Sequence, residues 1–184
     1  LAIKSVLSQS FKNWELIIID NNSDDGTSKI LNKYKSNKIK IFQINNHGII
    51  AKSRNKGIIE SNGKYIAFLD SDDIWYPNKL EKCLELLKPP YSLICHSELW
   101  NYDGNKKTKH NYGPNNKSLF RNLLFKGNCL STSAILVLKK EIIKAKMFSE
   151  DYRFNTVEDY LLWLKLSKNG VKMYFINNVL GEYL

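Results

Sequence analysis

The chain is poor in the residues that build several common site types. Three cysteines, Cys83, Cys95 and Cys129, are scattered over its 184 residues. No C-x-x-C pair occurs, so neither a zinc cluster nor a disulfide framework is indicated. Three histidines, His47, His96 and His110, are equally dispersed and read as solvated or core residues. There is no G-x-G-x-x-G and no G-x-x-x-x-G-K-[ST], which argues against a dinucleotide oxidoreductase and a P-loop NTPase. No G-x-S-x-G nucleophile elbow is present. No apolar run reaches the length of a membrane-spanning helix, and the opening Leu1 to Leu7 does not read as a secretory signal. Acidic residues are outnumbered, 18 against 28 Lys and Arg, for a net charge of +10. Such a surface suits anionic partners. The lysines form no compact basic stripe interleaved with aromatics, so no nucleic-acid partner is expected. Scattered free thiols fit a reducing, cytoplasmic setting.

What is present is an ordinary globular composition, 43% hydrophobic and 25% charged, with enough length for one domain. Ile3, Val6 and Leu7 share a helical face. Glu15 to Ile19 reads as a buried strand, followed by the turn cluster Asp20 to Gly26 and a short helix. A strand over Ile39 to Ile44 and a helix over Ile50 to Ser61 lead to the apolar run Tyr65 to Leu69. Pro77 suits the first turn of a helix carrying Leu80, Cys83, Leu84 and Leu87, which Pro89-Pro90 stops. Further strands are expected over Ser92 to Cys95, Ala134 to Leu138 and Val171 to Ile176. Helices are expected over Ser118 to Phe125 and Glu158 to Lys168. Asn101 to Lys117 reads as a long loop. The alternation of the first half implies parallel βαβ units and an α/β fold with a mostly parallel sheet flanked by helices.

Asp70-Ser71-Asp72-Asp73 follows the Tyr65 to Leu69 run directly. Acids at the carboxyl end of a buried strand lie where α/β sheets bind ligands. Crowded carboxylates suit a hard divalent cation, which takes oxygen ligands and bridges to phosphates. An acidic turn with Asp73 as the next helix cap explains the same residues. Asp20 ends another strand, and with Asp70 it predicts one crevice holding two acids; its side chain could equally shape its own turn. Arg54 could face phosphate or the surface. Glu158-Asp159 opens a helix that is apolar nearly all round, so a carboxylate there could act as a general base or simply complement the helix dipole.

Four segments together resemble the inverting family 2 glycosyltransferases of GT-A fold. They are Ala2 to Phe11, the acidic turn Asp20 to Thr27, the block Ser53-Arg54-Asn55-Lys56-Gly57 through Phe68-Leu69-Asp70-Ser71-Asp72-Asp73-Ile74-Trp75, and Glu158-Asp159-Tyr160-Leu161-Leu162-Trp163-Leu164. Asn21 and Asn22 depart from the Asp and Gly usual in the first turn. The resemblance implies that Asp20 contacts the nucleotide base with Asn21 beside it, and that Arg54 helps hold the nucleotide. It implies that Asp70 and Asp72 hold the ribose and a Mn²⁺ or Mg²⁺ on the diphosphate, and that Asp159 is the catalytic base. Trp75 and Glu158 fall on the acceptor side. Residues 1–98 would be the nucleotide-sugar half and 99–184 the acceptor half of a single domain. The implied partners are a nucleotide-sugar donor, UDP foremost, and a glycan or lipid-linked acceptor of cell-surface polysaccharide. The implied place is the cytoplasm or the inner face of the membrane, with peripheral membrane association. The family's opening strand is expected before Leu1. A nucleotidyltransferase on a similar sheet and a nucleotide- or glycan-binding module without turnover are the competing classes.

Overall fold

A computed structural model describes residues 1–101, 106–114 and 119–184. The order is α1 (Ala2–Leu7), β1 (Leu16–Asp20), α2 (Thr27–Asn32), β2 (Ile39–Gln43), α3 (Ile50–Glu60), β3 (Tyr65–Ile66), β4 (Ile74–Trp75), α4 (Lys79–Leu86), β5 (Tyr91–Asn101), β6 (Lys107–His110), α5 (Leu119–Lys126), β7 (Ile135–Leu138), α6 (Lys139–Lys144), a 3₁₀ turn (Tyr152–Phe154), α7 (Glu158–Lys168) and β8 (Lys172–Tyr183).

The centre is β5. Leu93, Ile94 and Cys95 are all fully buried, so the strand is covered on both faces. Because successive side chains alternate, Leu93 and Cys95 join one core and Ile94 the other. The first core packs α3, α5, α6 and α7 on the sheet through Ile58, Leu123, Ile142, Leu162, Trp163 and Leu166. The second holds α1 and α4 through Val6, Leu80 and Cys83, with Trp75 among them.

The pairing differs from a mostly parallel sheet. β1–β2 and β5–β8 are parallel, whereas β3–β7, β4–β8, β5–β6 and β5–β7 are antiparallel. β1 and β2 form a sheet of their own, and the other strands run β3-β7-β5-β8-β4 with β6 on β5. The helix–strand alternation of the first half constrains only neighbours in sequence. The middle of the larger sheet is made by β5, β7 and β8, which come later in the chain. With β2 as its partner, β1 is half-buried from Leu16 to Ile19 rather than enclosed as a central strand would be.

Several bounds shift. Of the run Tyr65 to Leu69, only Tyr65 and Ile66 join a ladder. β5 and β8 run well beyond Cys95 and Ile176. Within the expected loop Asn101 to Lys117, Lys107–His110 pairs with β5 as β6; residues 102–105 and 115–118 lie outside the described ones. Asp73 is not a helix cap: α4 starts at Lys79 with Asn78 before it. Among the described residues no helix is long and apolar enough to cross a membrane.

Candidate active site

The segment that leads from β3 into Asp70 and the N-terminus of α7 meet at one cavity of about 510 Å³. Its lining joins Arg54, Asp70, Glu158 and Asp159, four of the residues singled out in the sequence. Thr132, Asn128 and the aromatic residues Trp100, His110, Tyr112 and Tyr183 line it too.

Arg54 is the hub. Its position on α3 lets one guanidinium nitrogen reach Glu158 Oε1 at 2.6 Å while the other reaches both Asp70 oxygens at 3.1 and 3.2 Å. The same group lies 5.5 Å from the Phe148 ring centroid, in cation–π range. Asn55, next in sequence, points elsewhere: it donates to the Phe148 carbonyl and Glu150 and accepts from Phe148 N–H. It ties α3 to the segment after α6. Glu158 is 3% exposed, and its second oxygen, Oε2, has no protein partner among the described residues.

Asp159, one residue on, is less buried. Its Oδ2 accepts from the Thr132 hydroxyl at 3.2 Å and from Asn128 Nδ2 at 3.5 Å. Such donors fix the carboxylate without neutralising it, a state suited to receiving a proton.

The acidic turn is stapled by Ser133. Its hydroxyl accepts from Asp70 N–H at 3.0 Å and holds the Asp73 carboxylate, and its carbonyl accepts from the Trp75 indole. Asp73 is buried and accepts from Leu184 N–H. Burial pushes its pKa up; the bonds from Ser133 and Leu184 counter this, and the nearby Asp70 and Asp72 charges add to the rise. The same acids, after burial, push the Tyr183 hydroxyl up. Asp72 itself is exposed, and the Asp70 side chain is 43% exposed. Among the described residues no three His, Cys, Asp or Glu side chains gather to hold a metal by themselves. The exposed Asp72 and the half-exposed Asp70, whose oxygens already accept from Arg54, are the carboxylates of this turn that would hold a hard divalent cation.

Other expected residues lie elsewhere. Asp20, 6% exposed, does not line this cavity. Its carboxylate accepts from the Ser23 and Ser28 hydroxyls and from Gln43 Nε2. Asn21 accepts from Asn46 N–H, which links the first turn to the loop before α3. Trp75 does not line the cavity either. It is 5% exposed, with Lys79 Nζ 3.6 Å from its ring centroid, because β4 turns this side chain into the second core.

Sequence reasoning missed the aromatic lining. Tyr112 donates to Glu98 Oε2 at 2.7 Å and accepts from the Trp100 indole at 3.0 Å. Burial pushes the Glu98 carboxyl up despite the hydrogen bonds it accepts. The one available signal was the two-residue spacing of His110 and Tyr112, as on one face of a strand, inside a stretch too polar to read as one.

A mixed α/β sheet with an acid cluster where Tyr65 to Leu69 runs out, facing a buried Arg–Glu pair, defines a GT-A-type fold. The chain belongs to glycosyl transferase family 2, whose description matches residues 1–145. It is 33% identical to the putative teichuronic acid biosynthesis glycosyltransferase TuaG of Bacillus subtilis (strain 168), over 98% of this chain and 71% of that protein. It is 32% identical to the UDP-Glc:alpha-D-GlcNAc-diphosphoundecaprenol beta-1,3-glucosyltransferase WfgD of Escherichia coli, over 92% of this chain and 64% of that one. The solved structure of S. aureus TarS 1-349 in complex with UDP superposes with a TM-score of 0.77 over 99% of this chain and 55% of that one, at 19% identity, which is a likeness of fold. The chain thus spans between about half and three-quarters of the length of these proteins.

Proposed function

We propose that the chain carries the catalytic site of an inverting, divalent-cation-dependent glycosyltransferase. It would move a sugar from a nucleoside-diphosphate sugar, UDP foremost, to a glycan or lipid-linked acceptor of cell-surface polysaccharide. The observation that carries this reading is the convergence of Arg54, Asp70, Glu158 and Asp159 on one cavity, from α3, the turn between β3 and β4, and α7. The names of TuaG and WfgD agree with the acceptor class, and UDP bound to TarS agrees with the donor.

The roles follow from environment. Asp159, held by Thr132 and Asn128, receives the proton of the acceptor hydroxyl as that oxygen attacks the anomeric carbon. One base and attack from the face opposite the leaving group give inversion. Asp70 and Asp72 present oxygens at the mouth of the acidic turn, where a bound Mn²⁺ or Mg²⁺ would supply charge neutralisation for the leaving diphosphate. Glu158 and Arg54 fix the position of Asp70. Asp20 and Asn21 shape the turn at the end of β1 on which the base is expected to rest. Residues 1–98 supply most of the donor side and 99–184 most of the acceptor side.

The test is a thermal-shift screen of UDP-, GDP- and dTDP-sugars with Mn²⁺, repeated with excess chelator, alongside a transfer assay. A ligand that binds only the folded state raises apparent stability. A shift for one nucleotide sugar that chelator abolishes, with turnover, is the expected result. A chelator-insensitive shift would remove the cation. Binding without turnover on any acceptor would favour a binding module, in line with each terminal nitrogen of Arg54 already donating to a carboxylate.

A further inference from the structure

The cavity that holds Asp159 has an aromatic wall with no role so far. The ladder places Glu98 opposite His110 and Trp100 opposite Tyr183, so strands β6, β5 and β8 bring His110, Trp100 and Tyr183 side by side on one face. His110 stacks on Trp100 with ring centroids 4.1 Å apart and planes 13° off parallel. Tyr183 lies 5.2 Å from Trp100 and Tyr112 lies 4.9 Å from His110, both tilted. All four line the cavity.

Hydrogen bonds tie the wall to a buried carboxylate. Trp100 gives its indole proton to the Tyr112 hydroxyl, which gives its own proton to buried Glu98. With both protons committed inward, what Trp100 and Tyr112 offer the cavity is aromatic carbon. Tyr183 is 42% exposed, more open than a side chain of the core. Polar groups adjoin the wall in the same cavity: Ser131, Thr132, Asn128 and the Asp159 carboxylate. A preformed concave site that joins flat apolar surface to a few convergent hydrogen-bonding groups selects a ligand with the same division. A pyranose ring has it, with C–H groups on its faces and hydroxyls around its rim.

We infer that Trp100, His110, Tyr112 and Tyr183 form the acceptor subsite, where a sugar ring of a glycan or of a glycan headgroup packs against the wall with a hydroxyl directed to Asp159. The inference rests on the glycosyltransferase reading for the role of Asp159, but not for the binding of sugar. The nucleobase is the competing occupant of an aromatic surface. Asp20, on which the base is expected, lies outside this cavity with its carboxylate already bonded.

The experiment titrates the full chain with cellotetraose and chitotetraose, read by tryptophan fluorescence and ligand-observed NMR, for wild type, Trp100→Ala, Tyr183→Ala and Tyr112→Phe. UDP with Mn²⁺ is titrated in parallel. Wild-type binding to at least one oligosaccharide is expected. It should weaken about tenfold in Trp100→Ala and Tyr183→Ala and less in Tyr112→Phe, with UDP affinity unchanged. Tyr183→Ala, at the more exposed position, serves should Trp100→Ala fold poorly. Oligosaccharide binding that is absent in wild type, or untouched by the variants, overturns the subsite. A loss of UDP affinity in the wall variants overturns it in favour of the base. If sugar binds and the variants weaken it while no nucleotide sugar binds, the subsite stands and the transferase reading fails.

Discussion

Arg54 and Glu158, 104 residues apart, form an ion pair at 2.6 Å whose side chains are only 14% and 4% exposed. The same guanidinium holds Asp70, whose side chain is 43% exposed. The two halves of this bridge are therefore unequal. Removing one partner of a buried pair strands a charge out of water, whereas solvent screens the outer one.

Arg54→Met should destabilise the fold by about 3–5 kcal/mol, because Glu158 is left charged and unpaired. Asp70→Asn, which breaks only the outer half, should stay within about 1 kcal/mol. Urea denaturation of the two variants compares them directly; equal losses would mean that Arg54 is not anchored mainly by Glu158.

Asp159→Asn should lower turnover by about 10²–10⁴-fold, the range expected for a lost general base. Asparagine keeps an oxygen for the Thr132 hydroxyl, so nucleotide-sugar binding by thermal shift and the melting temperature should not move. A variant retaining more than about a tenth of the rate would show that another group takes the proton.

His96 should make the protein acid-sensitive. Burial, with the positive charge of Lys79, lowers its pKa from 6.5 to about 3. In that interval the unfolded chain gains a proton that the folded one refuses, so this group's contribution is intact above about 6.5 and declines as pH falls towards about 3. Urea stabilities of wild type and His96→Gln should draw apart on acidification, wild type losing more. Parallel losses would assign the acid transition to other groups.

Gly181→Ala should destabilise by about 1–3 kcal/mol through overpacking. A Cβ there would stand 2.8 Å from the Ile74 carbonyl oxygen and 3.4 Å from His96, against backbone that pairs β4 with β8. Gly57→Ala is the control. On α3 its Cβ would meet only Ile19 at an ordinary 3.7 Å, and helix propensity predicts no loss and a gain of up to about 1 kcal/mol. Thermal melts of the two variants should move in opposite directions or not at all for Gly57; a neutral Gly181→Ala would mean that β4 can give way.

How much of this was legible in the chain varies with the range of the interactions. The bounds of the helix Glu158–Lys168 were readable to the residue, but only Glu158, Leu162, Trp163 and Leu166 are buried, so it is covered on one side and not nearly all round. The acid cluster was readable as a turn that follows an apolar run, and of its acids Asp70 lines the cavity while Asp72 is exposed. The destinations of Asp73 and Trp75 were not readable. Both are buried because Leu184 and Ser133, distant in sequence, meet them there. β6 escaped notice because its residues stay largely exposed and it is held as a strand by pairing with β5, not by apolar residues of its own.

The sequence by itself determined the class of protein: motif order, the helix–strand alternation and the residues able to carry charge or accept a proton are local facts. Only the tertiary structure decided which of them share a cavity. It joined Arg54 to Glu158, moved Trp75 into the core, kept Asp20 within its own turn and set Trp100 beside Tyr183. Those outcomes depend on strand register and direction, and register is fixed by which faces of β5, β7 and β8 can be buried together. That is a property of the packed sheet and of no single segment.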